Sequence, residues 1–389
     1  MSVIVSLSFL WIGHFIVDFM LGIWSIYKTM TFLDLGLAGT IAAVAAFAGE
    51  GAQLFFGNLS DRGYRNRILL IGIALTAANL FLVFTNSYLS ILLLFVMTCI
   101  GSGAFHPTAV SFIGNLTDTQ KGFYISIFSS GGALGMALSH MIFSRSYFYF
   151  KGNPLPLLFP VFLLISILLY LGYFKKIDSH QTVKVPLNFQ IFKDYFYNPT
   201  KRHLYIAQVC NQTLFWGSIF LLPDVLLTRG YEEAITFGGG HFAFIIGSAF
   251  MMIPSGFLAD RFSPRSVILF ASGLGMVFLY FFLLSPSLPT LYLIPVLALA
   301  GAFMGIVQPL AVALGNELGK NSPGMTGFFT MGLVWCVSET IGPAGSGLIS
   351  KLFIEDAPAK ALMVFGLLFP IHIYFTYRLP IKEVAVEVL

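Results

Sequence analysis

The sequence contains few charged residues. Lys, Arg, Asp and Glu together make up 10% of its 389 residues, whereas apolar residues make up 57%. Soluble domains usually carry charge at about a quarter of their positions, because they need a hydrated surface. The scarcity of charge therefore excludes a chain built of soluble domains. Cysteine is also scarce: Cys99, Cys210 and Cys336 all fall in apolar stretches, so neither a disulfide framework nor a cysteine metal site is predicted.

Long apolar runs are abundant instead. A run of about 20 apolar residues spans a bilayer as a helix, which satisfies its own backbone hydrogen bonds. The first run contains His14 and Asp18 and lacks a cleavage motif, so we expect a mature helix and not a signal peptide. The sequence predicts an all-α polytopic membrane protein. Its twelve predicted helices span residues 3–28, 33–57, 67–86, 88–114, 120–146, 155–175, 203–228, 236–258, 265–285, 289–315, 323–352 and 360–379.

The longest polar segment divides the predicted helices into two sets. We expect a six-helix bundle in residues 1–175, a cytoplasmic linker in residues 176–202 and a second bundle in residues 203–389. Basic loops stay on the cytoplasmic side, and 15 of the 21 Lys and Arg residues fall on the side of both termini. Both termini are therefore predicted to be cytoplasmic. The net charge of +4 reflects this bias and does not indicate nucleic-acid binding. The basic residues of the predicted outer side are Lys28, Arg145, Lys151, Arg229, Lys351 and Lys360.

The two sets repeat each other. Asp61-Arg62 follows the second predicted helix and Asp260-Arg261 follows the eighth, 199 residues later. His106-Pro107 in the fourth helix corresponds to Gln308-Pro309 in the tenth, at nearly the same offset. Two independent matches in corresponding helices indicate a duplicated six-helix unit.

This plan resembles that of the major facilitator superfamily, whose halves surround a central cavity at the membrane midplane. The loop after the second helix resembles that superfamily's Gly-x-x-x-Asp-Arg-x-Gly-Arg signature, with its second glycine at position 63. The resemblance implies a cytoplasmic gate, in which an acid caps a facing helix and arginines pair with acids or carbonyls. The predicted gate residues are Gly57, Asp61, Arg62, Arg65, Asp260 and Arg261.

Residues 10–145 resemble more closely the fosmidomycin-resistance type of efflux transporter. The resemblance lies in His14-x-x-x-Asp18, in the Phe-His-Pro run at residues 105–107, and in the Ser-Ile-Phe-x-x-Gly-Gly run at residues 126–132. It implies export. Two positions depart from the family pattern: Thr108 replaces an acid, and Ser139-His140 replaces the Gly-Pro pair typical of antiporters.

Ionisable groups inside spanning helices are costly, so each is a candidate for function. His14 and Asp18 share one helix face, and a carboxylate beside an imidazole can hold a proton or a cation. Glu50 and Glu339 are suited to proton exchange, and Asn211-Gln212 falls near the repeat position of His14. The predicted substrate- and proton-binding residues are His14, Asp18, Glu50, His106, Asn211, Gln212, Gln308 and Glu339.

Other residues receive weaker predictions. His140 lies one to two turns before Arg145 and is a candidate for an extracellular gate. Asp224 is expected to be a gate or surface residue. Aromatic side chains on the predicted cavity helices are candidates for substrate contact: Phe105, Phe215, Trp216 and Trp335.

The sequence thus favours a proton-linked secondary transporter that moves a small organic solute, by efflux, through alternating access. The alternatives are an uptake symporter or exchanger, a cation or metal carrier that uses His14, Asp18 and His106, and a non-transporting receptor or intramembrane enzyme. A receptor would usually carry a soluble output domain, and an enzyme would need a clustered nucleophile, and the sequence indicates neither. We expect a monomer in the lipid bilayer of a bacterial inner membrane, without cofactor, resident metal or nucleic-acid partner.

Overall fold

A computed structural model describes residues 3–114, 121–170, 189–318 and 328–380. All regular secondary structure in these residues is helical. Nine helices of this part of the chain are long and apolar enough to cross a membrane, and Leu155–Tyr170 is a shorter apolar helix. The predicted all-α polytopic fold is confirmed at this level.

The first half contains six helices. The third continues as a 3₁₀-helix at Ala77–Phe84, and a 3₁₀ turn at Leu155–Leu157 precedes the sixth. The helices are α1 (Val3–Met30), α2 (Leu35–Leu59), α3 (Arg65–Thr76), α4 (Tyr88–Gly114), α5 (Lys121–Tyr149) and α6 (Leu158–Tyr170).

The rest of the described chain is more segmented. Its helices are α7 (Phe189–Tyr197), α8 (Pro199–Thr228), α9 (Gly240–Phe262), α10 (Pro264–Leu284), α11 (Thr290–Gly305), α12 (Val307–Leu318), α13 (Leu333–Ser350), α14 (Ala357–Phe365) and α15 (Leu368–Tyr377). Single π-helical segments at Ile235–Gly239 and Phe328–Gly332 precede α9 and α13. Helix α7 lies inside the predicted linker, of which residues 176–188 are outside the described residues.

Local sequence signals explain several helix boundaries. Asn198 caps α8 by accepting a hydrogen bond from the Lys201 amide, and Pro199 suits the first helical position because its missing N–H needs no partner there. Between α2 and α3, Gly63 adopts a φ of 91°, a left-handed conformation that favours glycine. The glycine of the Asp61-Arg62 loop therefore ends one helix and lets the next begin.

The described chain forms two compact units. The first comprises Met1–Leu33, Ile41–Lys184 and Glu232–Phe242, and the second comprises Asp34–Thr40, Val185–Tyr231 and Ala243–Leu389. The predicted bundle boundaries, at residues 175 and 203, stay a prediction.

Glycines allow close helix packing within each unit. In the first unit, a Cβ atom at Gly135 of α5 would collide with the Phe15 carbonyl of α1. In the second unit, a Cβ atom at Gly342 of α13 would lie 2.7 Å from the Thr213 carbonyl of α8. Small residues let helix backbones approach each other, which stabilises contacts in a membrane where the hydrophobic effect does not.

Candidate functional site

Three ionisable side chains converge inside the first unit. His14 Nε2 lies 3.3 Å from Asp18 Oδ2, and His106 Nε2 lies 3.2 Å from Asp18 Oδ1. The two Nε2 atoms are 3.1 Å apart. His14 and Asp18 are one turn apart on α1, whereas His106 comes from α4. We refer to these three residues as the triad.

Backbone carbonyls fix the orientation of both imidazoles. His14 Nδ1 lies 2.8 Å from the Phe128 carbonyl oxygen, and His106 Nδ1 lies 3.0 Å from the Ser102 carbonyl oxygen. A carbonyl oxygen only accepts hydrogen bonds, so these two contacts are hydrogen bonds in the tautomer that carries the proton on Nδ1; the Ser102 hydroxyl also lies 3.0 Å from His106 Nδ1. In that neutral tautomer the Nε2 atoms are lone-pair acceptors.

In this tautomer the triad brings two Nε2 lone pairs against the two oxygens of one carboxylate. Two Nε2 lone pairs and an ionised carboxylate repel one another at this separation unless a cation lies between them. A proton on one Nε2 converts the arrangement into a charge-assisted hydrogen-bond network. The geometry is thus that of a site that holds a cation.

Aromatic rings and a glycine surround the triad. The Phe128 ring stacks on His14 with a centroid distance of 4.1 Å. Phe105 is fully buried beside Gly13 and His14, so it packs in the core, and its predicted contact with substrate is not supported. A Cβ atom at Gly132 of α5 would collide with His14 Nε2 and Asp18 Oδ2. The missing side chain at Gly132 lets α5 pack closely against these two atoms.

Glu50 on α2 is the fourth ionisable residue of this region. Its Oε2 accepts a hydrogen bond of 2.5 Å from Gln53 Nε2. Glu50 also lies within electrostatic reach of His106 and Asp18. The structure therefore brings the predicted residues His14, Asp18, Glu50 and His106 together, although their role in binding stays a prediction.

The second unit contains a neutral counterpart. Gln208 Nε2 of α8 donates to Gln308 Oε1 of α12 at 2.8 Å, and to the Thr330 carbonyl oxygen at 2.6 Å. Asn211 Nδ2 donates to the Met304 carbonyl oxygen at 3.0 Å, which ties α8 to α11. Gln212 is buried on α8. Polar side chains thus join corresponding helices in each repeat, but only amides do so here.

Glu339 also belongs to the second unit. Its side chain is half-buried on α13. The aromatic candidates Phe215, Trp216 and Trp335 are half-buried in the same unit. Their contact with a substrate stays a prediction.

The predicted gate residues differ in their surroundings. Arg65 is buried and donates to Ser111 Oγ of α4 at 3.1 Å and to Ser60 Oγ at 3.4 Å. Gly57 is half-buried, and the side chains of Arg62 and Arg261 are exposed. Asp61 and Asp260 lie in helical segments, but their side chains are outside the described part of the structure.

His140 is fully buried and stacks on His241 at a centroid distance of 3.5 Å, within the first unit, and its role in an extracellular gate stays a prediction. Two interpretations of single residues need correction. Asp224 is buried, which excludes the surface alternative. Lys28 is fully buried in the last turn of α1 and is not a loop residue. An apolar run shows which residues belong to a helix more accurately than it shows where that helix ends.

The sequence does not reveal the roles of several residues of the site. Phe128 and Gly132 belong to the Ser-Ile-Phe-x-x-Gly-Gly run, but Phe128 contributes a backbone carbonyl, which any residue has, and the contact of Gly132 depends on how α5 packs on α1. Gln208 and His241 match no motif. Only the helical spacing of Gln208 before Asn211-Gln212, one turn away on the same face, could have indicated it.

Comparison with known proteins places the chain among membrane transporters. The family model described as Major Facilitator Superfamily matches residues 7–375. The benzoate transport protein of Acinetobacter baylyi is 22% identical over 317 residues, which cover 69% of this chain and 66% of that protein, slightly less than two thirds of its length.

Solved structures show the same fold. A bacterial homologue of the human lysosomal transporter Spinster, in an inward-facing and unoccupied conformation, aligns with a TM-score of 0.76 and 14% identity over 96% of this chain and 95% of that one. A variant of the nucleoside transporter NupG aligns with a TM-score of 0.74 and 12% identity over 96% of this chain and 99% of that one. At these identities the likeness concerns the fold alone.

Proposed function

We propose that this chain, which belongs to the Major Facilitator Superfamily, is a proton-linked carrier that exports a small organic solute by alternating access. The family match and the solved neighbours confirm the predicted superfamily fold and the prediction of a transporter that is not an enzyme. Proton coupling, direction and solute are the proposed parts. The resemblance to fosmidomycin-resistance transporters rests on the motifs of residues 10–145, and these comparisons support the superfamily only.

One observation carries the proposal: inside membrane-spanning helices, the two Nε2 atoms of the triad lie 3.1 Å apart, and each lies 3.2–3.3 Å from one oxygen of the Asp18 carboxylate. Such an arrangement needs a cation, and a proton is the smallest one that can enter and leave. Glu50, within electrostatic reach, is a second place where a proton can reside. If the protonated carrier cannot bind the solute, and the solute-bound carrier cannot bind the proton, then inward flow of protons is coupled to export of the solute.

The amide contact between Gln208 and Gln308 in the second unit supports a division of roles. Gln208 and Gln308 can donate and accept hydrogen bonds at any physiological pH, so they are suited to bind the solute and not the proton. Glu339, Asn211 and Gln212 belong to the same unit and are proposed to contact the solute with them. The first unit would then carry the proton.

Export is proposed from the sequence resemblance. The gate residues Gly57, Asp61, Arg62, Arg65, Asp260 and Arg261 are proposed to close the cytoplasmic side. The bonds of Arg65 to Ser60 and Ser111 support this role, since they fasten the loop after α2 to α4.

Flux into proteoliposomes tests the proposal. Aromatic carboxylates and nucleosides are the first solutes of the panel, because related proteins carry benzoate and nucleoside in their names. An antiporter accumulates solute in liposomes with an acidic lumen, whereas a symporter accumulates solute when the outside is acidic. We expect accumulation with the acidic lumen. Accumulation in the opposite gradient would show uptake, and flux that is independent of any gradient would exclude proton coupling.

The variant Asp18→Asn removes the carboxylate of the triad. We expect it to lose gradient-driven accumulation by about tenfold or more, within the range of about 5–150-fold typical of coupling between two sites. Asp34→Asn is the matched control, since it makes the same change at a half-exposed acid outside the spanning helices. Wild-type accumulation in a folded Asp18→Asn protein would remove the triad from the coupling mechanism.

A further inference from the structure

We propose that His14, Asp18 and His106 form a binding site for a divalent transition-metal ion of the Zn²⁺ class. The sequence offers these residues only within the alternative of a cation or metal carrier, because a linear pattern does not show that His106 meets His14 and Asp18 from another helix. The inference concerns binding of the ion, and it stands independently of the solute and of proton coupling.

The distances within the triad match those around a metal ion. Zn²⁺ binds imidazole nitrogen and carboxylate oxygen at about 2.0–2.2 Å, so neighbouring ligand atoms are about 3.0 Å apart in octahedral and about 3.4 Å apart in tetrahedral geometry. In the triad, the two Nε2 atoms are 3.1 Å apart, His106 Nε2 lies 3.2 Å from Asp18 Oδ1, and His14 Nε2 lies 3.3 Å from Asp18 Oδ2. One ligand atom from each residue can be chosen so that all three lie within 4.8 Å of one another, which is the spacing of residues that can share one ion.

Both histidines make the backbone contact that is typical of a metal ligand. A metal-binding histidine usually donates its other ring N–H to a carbonyl or carboxylate, which orients the ring and leaves a lone pair for the ion. The Nδ1 atoms of His14 and His106 make these bonds to the Phe128 and Ser102 carbonyl oxygens. The free Nε2 lone pairs are the ones that converge.

The surroundings give the ion access and negative charge. Asp18 and His106 keep 18% and 17% of their side-chain surface exposed, which gives the ion access. The Asp18 carboxylate supplies negative charge, and Glu50 lies within electrostatic reach. Gly132 of α5 packs closely against His14 Nε2 and Asp18 Oδ2, so a larger residue there would displace these ligand atoms.

The donor set selects the type of metal. Two imidazoles and one carboxylate favour first-row transition metals, whereas Mg²⁺ and Ca²⁺ prefer shells made of oxygen. Three protein ligands with an open position also resemble a Zn²⁺ site that keeps one place for water or another ligand. We therefore assign the triad to Zn²⁺ and its spectroscopic substitute Co²⁺.

Titration of the tag-free full-length protein with Co²⁺ in detergent tests the assignment. Visible absorption bands of bound Co²⁺ report coordination by nitrogen and oxygen, and their loss on addition of Zn²⁺ reports competition for the same place. We expect one Co²⁺ per chain, displaced by one Zn²⁺. Asp18→Asn and His106→Asn should each weaken binding by about tenfold or more, since even partners of metal ligands are worth about 10–100-fold in affinity.

Two further variants make the test decisive. Asp18→Glu keeps a carboxylate ligand and should retain Co²⁺ bands. His203→Asn removes a histidine of α8 that lies well before Asn211-Gln212 and is not part of the triad, so it should leave binding unchanged. Binding that survives in folded Asp18→Asn and His106→Asn proteins, or the absence of stoichiometric Co²⁺ binding to wild type, would overturn the assignment. Absorption does not depend on flux, so the two proposals can fail separately. A protein that binds Co²⁺ without proton coupling contradicts only the proposed function. A protein with proton coupling that does not bind Co²⁺ contradicts only the metal site.

Discussion

The absence of a side chain at Gly132 is important for the triad. The hydrogen of Gly132 faces His14 Nε2 and Asp18 Oδ2 across the contact of α5 with α1, so a methyl group there must displace the triad. Gly132→Ala should therefore reduce gradient-driven flux and Co²⁺ binding by about tenfold or more, in the range of coupling between sites. Overpacking of this kind costs about 1–3 kcal/mol of stability, which leaves the fold intact in most proteins. Flux, Co²⁺ absorption and thermal unfolding in detergent measure the three effects.

Gly51→Ala on α2 is the control for this substitution. No atom lies within 4 Å of the position of its added Cβ, so the substitution should not alter flux or Co²⁺ binding. It should raise stability slightly, because alanine is a better helix former than glycine. Equal behaviour of Gly132→Ala and Gly51→Ala would show that the space beside the triad has no function.

At this scale the sequence predicts pairs but not complete sites. Helical spacing places His14 beside Asp18, because residues four apart lie on one face. The approach of His106 depends on how α4 packs on α1, and the tautomers depend on the carbonyl oxygens of Phe128 and Ser102. Backbone groups are the same in every residue, so no sequence pattern reveals them.

The start of α2 is held by its N-terminal cap and by a contact with the end of α13. Asp34 Oδ1 accepts a hydrogen bond of 2.8 Å from the Leu37 amide and one of 2.8 Å from Lys351 Nζ. Both residues are half-exposed members of the second unit, so the ion pair alone contributes about 0–1 kcal/mol. Asp34→Ala removes the cap as well, and should cost about 1–2 kcal/mol. Unfolding in mixed detergent micelles measures the loss.

The contribution of Asp34 depends on pH. The hydrogen bond from Lys351 lowers the pKa of Asp34 below its ordinary value of 3.8. A carboxyl whose pKa is lower in the folded state stabilises the fold above the unfolded pKa, and this stabilisation is lost as the pH falls through the folded pKa. The difference between wild type and Lys351→Met should therefore be constant near neutral pH and shrink below about pH 4. A difference that grows on acidification would contradict this assignment.

Helix continuity is less predictable than helix position. Pro107 lies inside the continuous helix α4, whereas the repeat helix ends at Gly305 and resumes at Val307, before Pro309. Each proline removes one backbone donor and frees the carbonyl four residues earlier. The packing around the freed carbonyl then decides between a continuous helix and a break, so the same Xaa-Pro motif gives two outcomes.

Across the whole molecule, the duplication preserves contacts and changes their chemistry. His106 meets His14 between α4 and α1, and Gln308 meets Gln208 between α12 and α8. The sequence repeat relates Gln308 to His106, and the structure shows that each unit joins its corresponding helices through its own polar side chains. Since amides do not titrate, the first contact can take up a proton and the second cannot.

The gate residues make the last prediction at this scale. Arg62 and Arg261 follow corresponding helices of the two repeats, and both side chains are exposed, so neither is needed for packing. Replacing both with glutamine should change stability by no more than about 0.5 kcal/mol, as for most surface substitutions. If the arginines close the cytoplasmic side in each cycle, the same change should lower the maximal rate of transport at least about fivefold, the lower end of typical coupling effects.

Arg67→Gln separates the gate from general anchoring by positive charge. Arg67 is also exposed and lies in the same basic segment, but it is outside the repeated Asp-Arg motif. Loss of the charge at Arg67 weakens the attraction to anionic lipid as much as loss of the charge at Arg62. Anchoring alone therefore predicts equal transport rates for the two single variants. A gate predicts a slow Arg62→Gln protein and a normal Arg67→Gln protein. Initial rates at saturating solute, with thermal unfolding measured on the same samples, distinguish the two explanations.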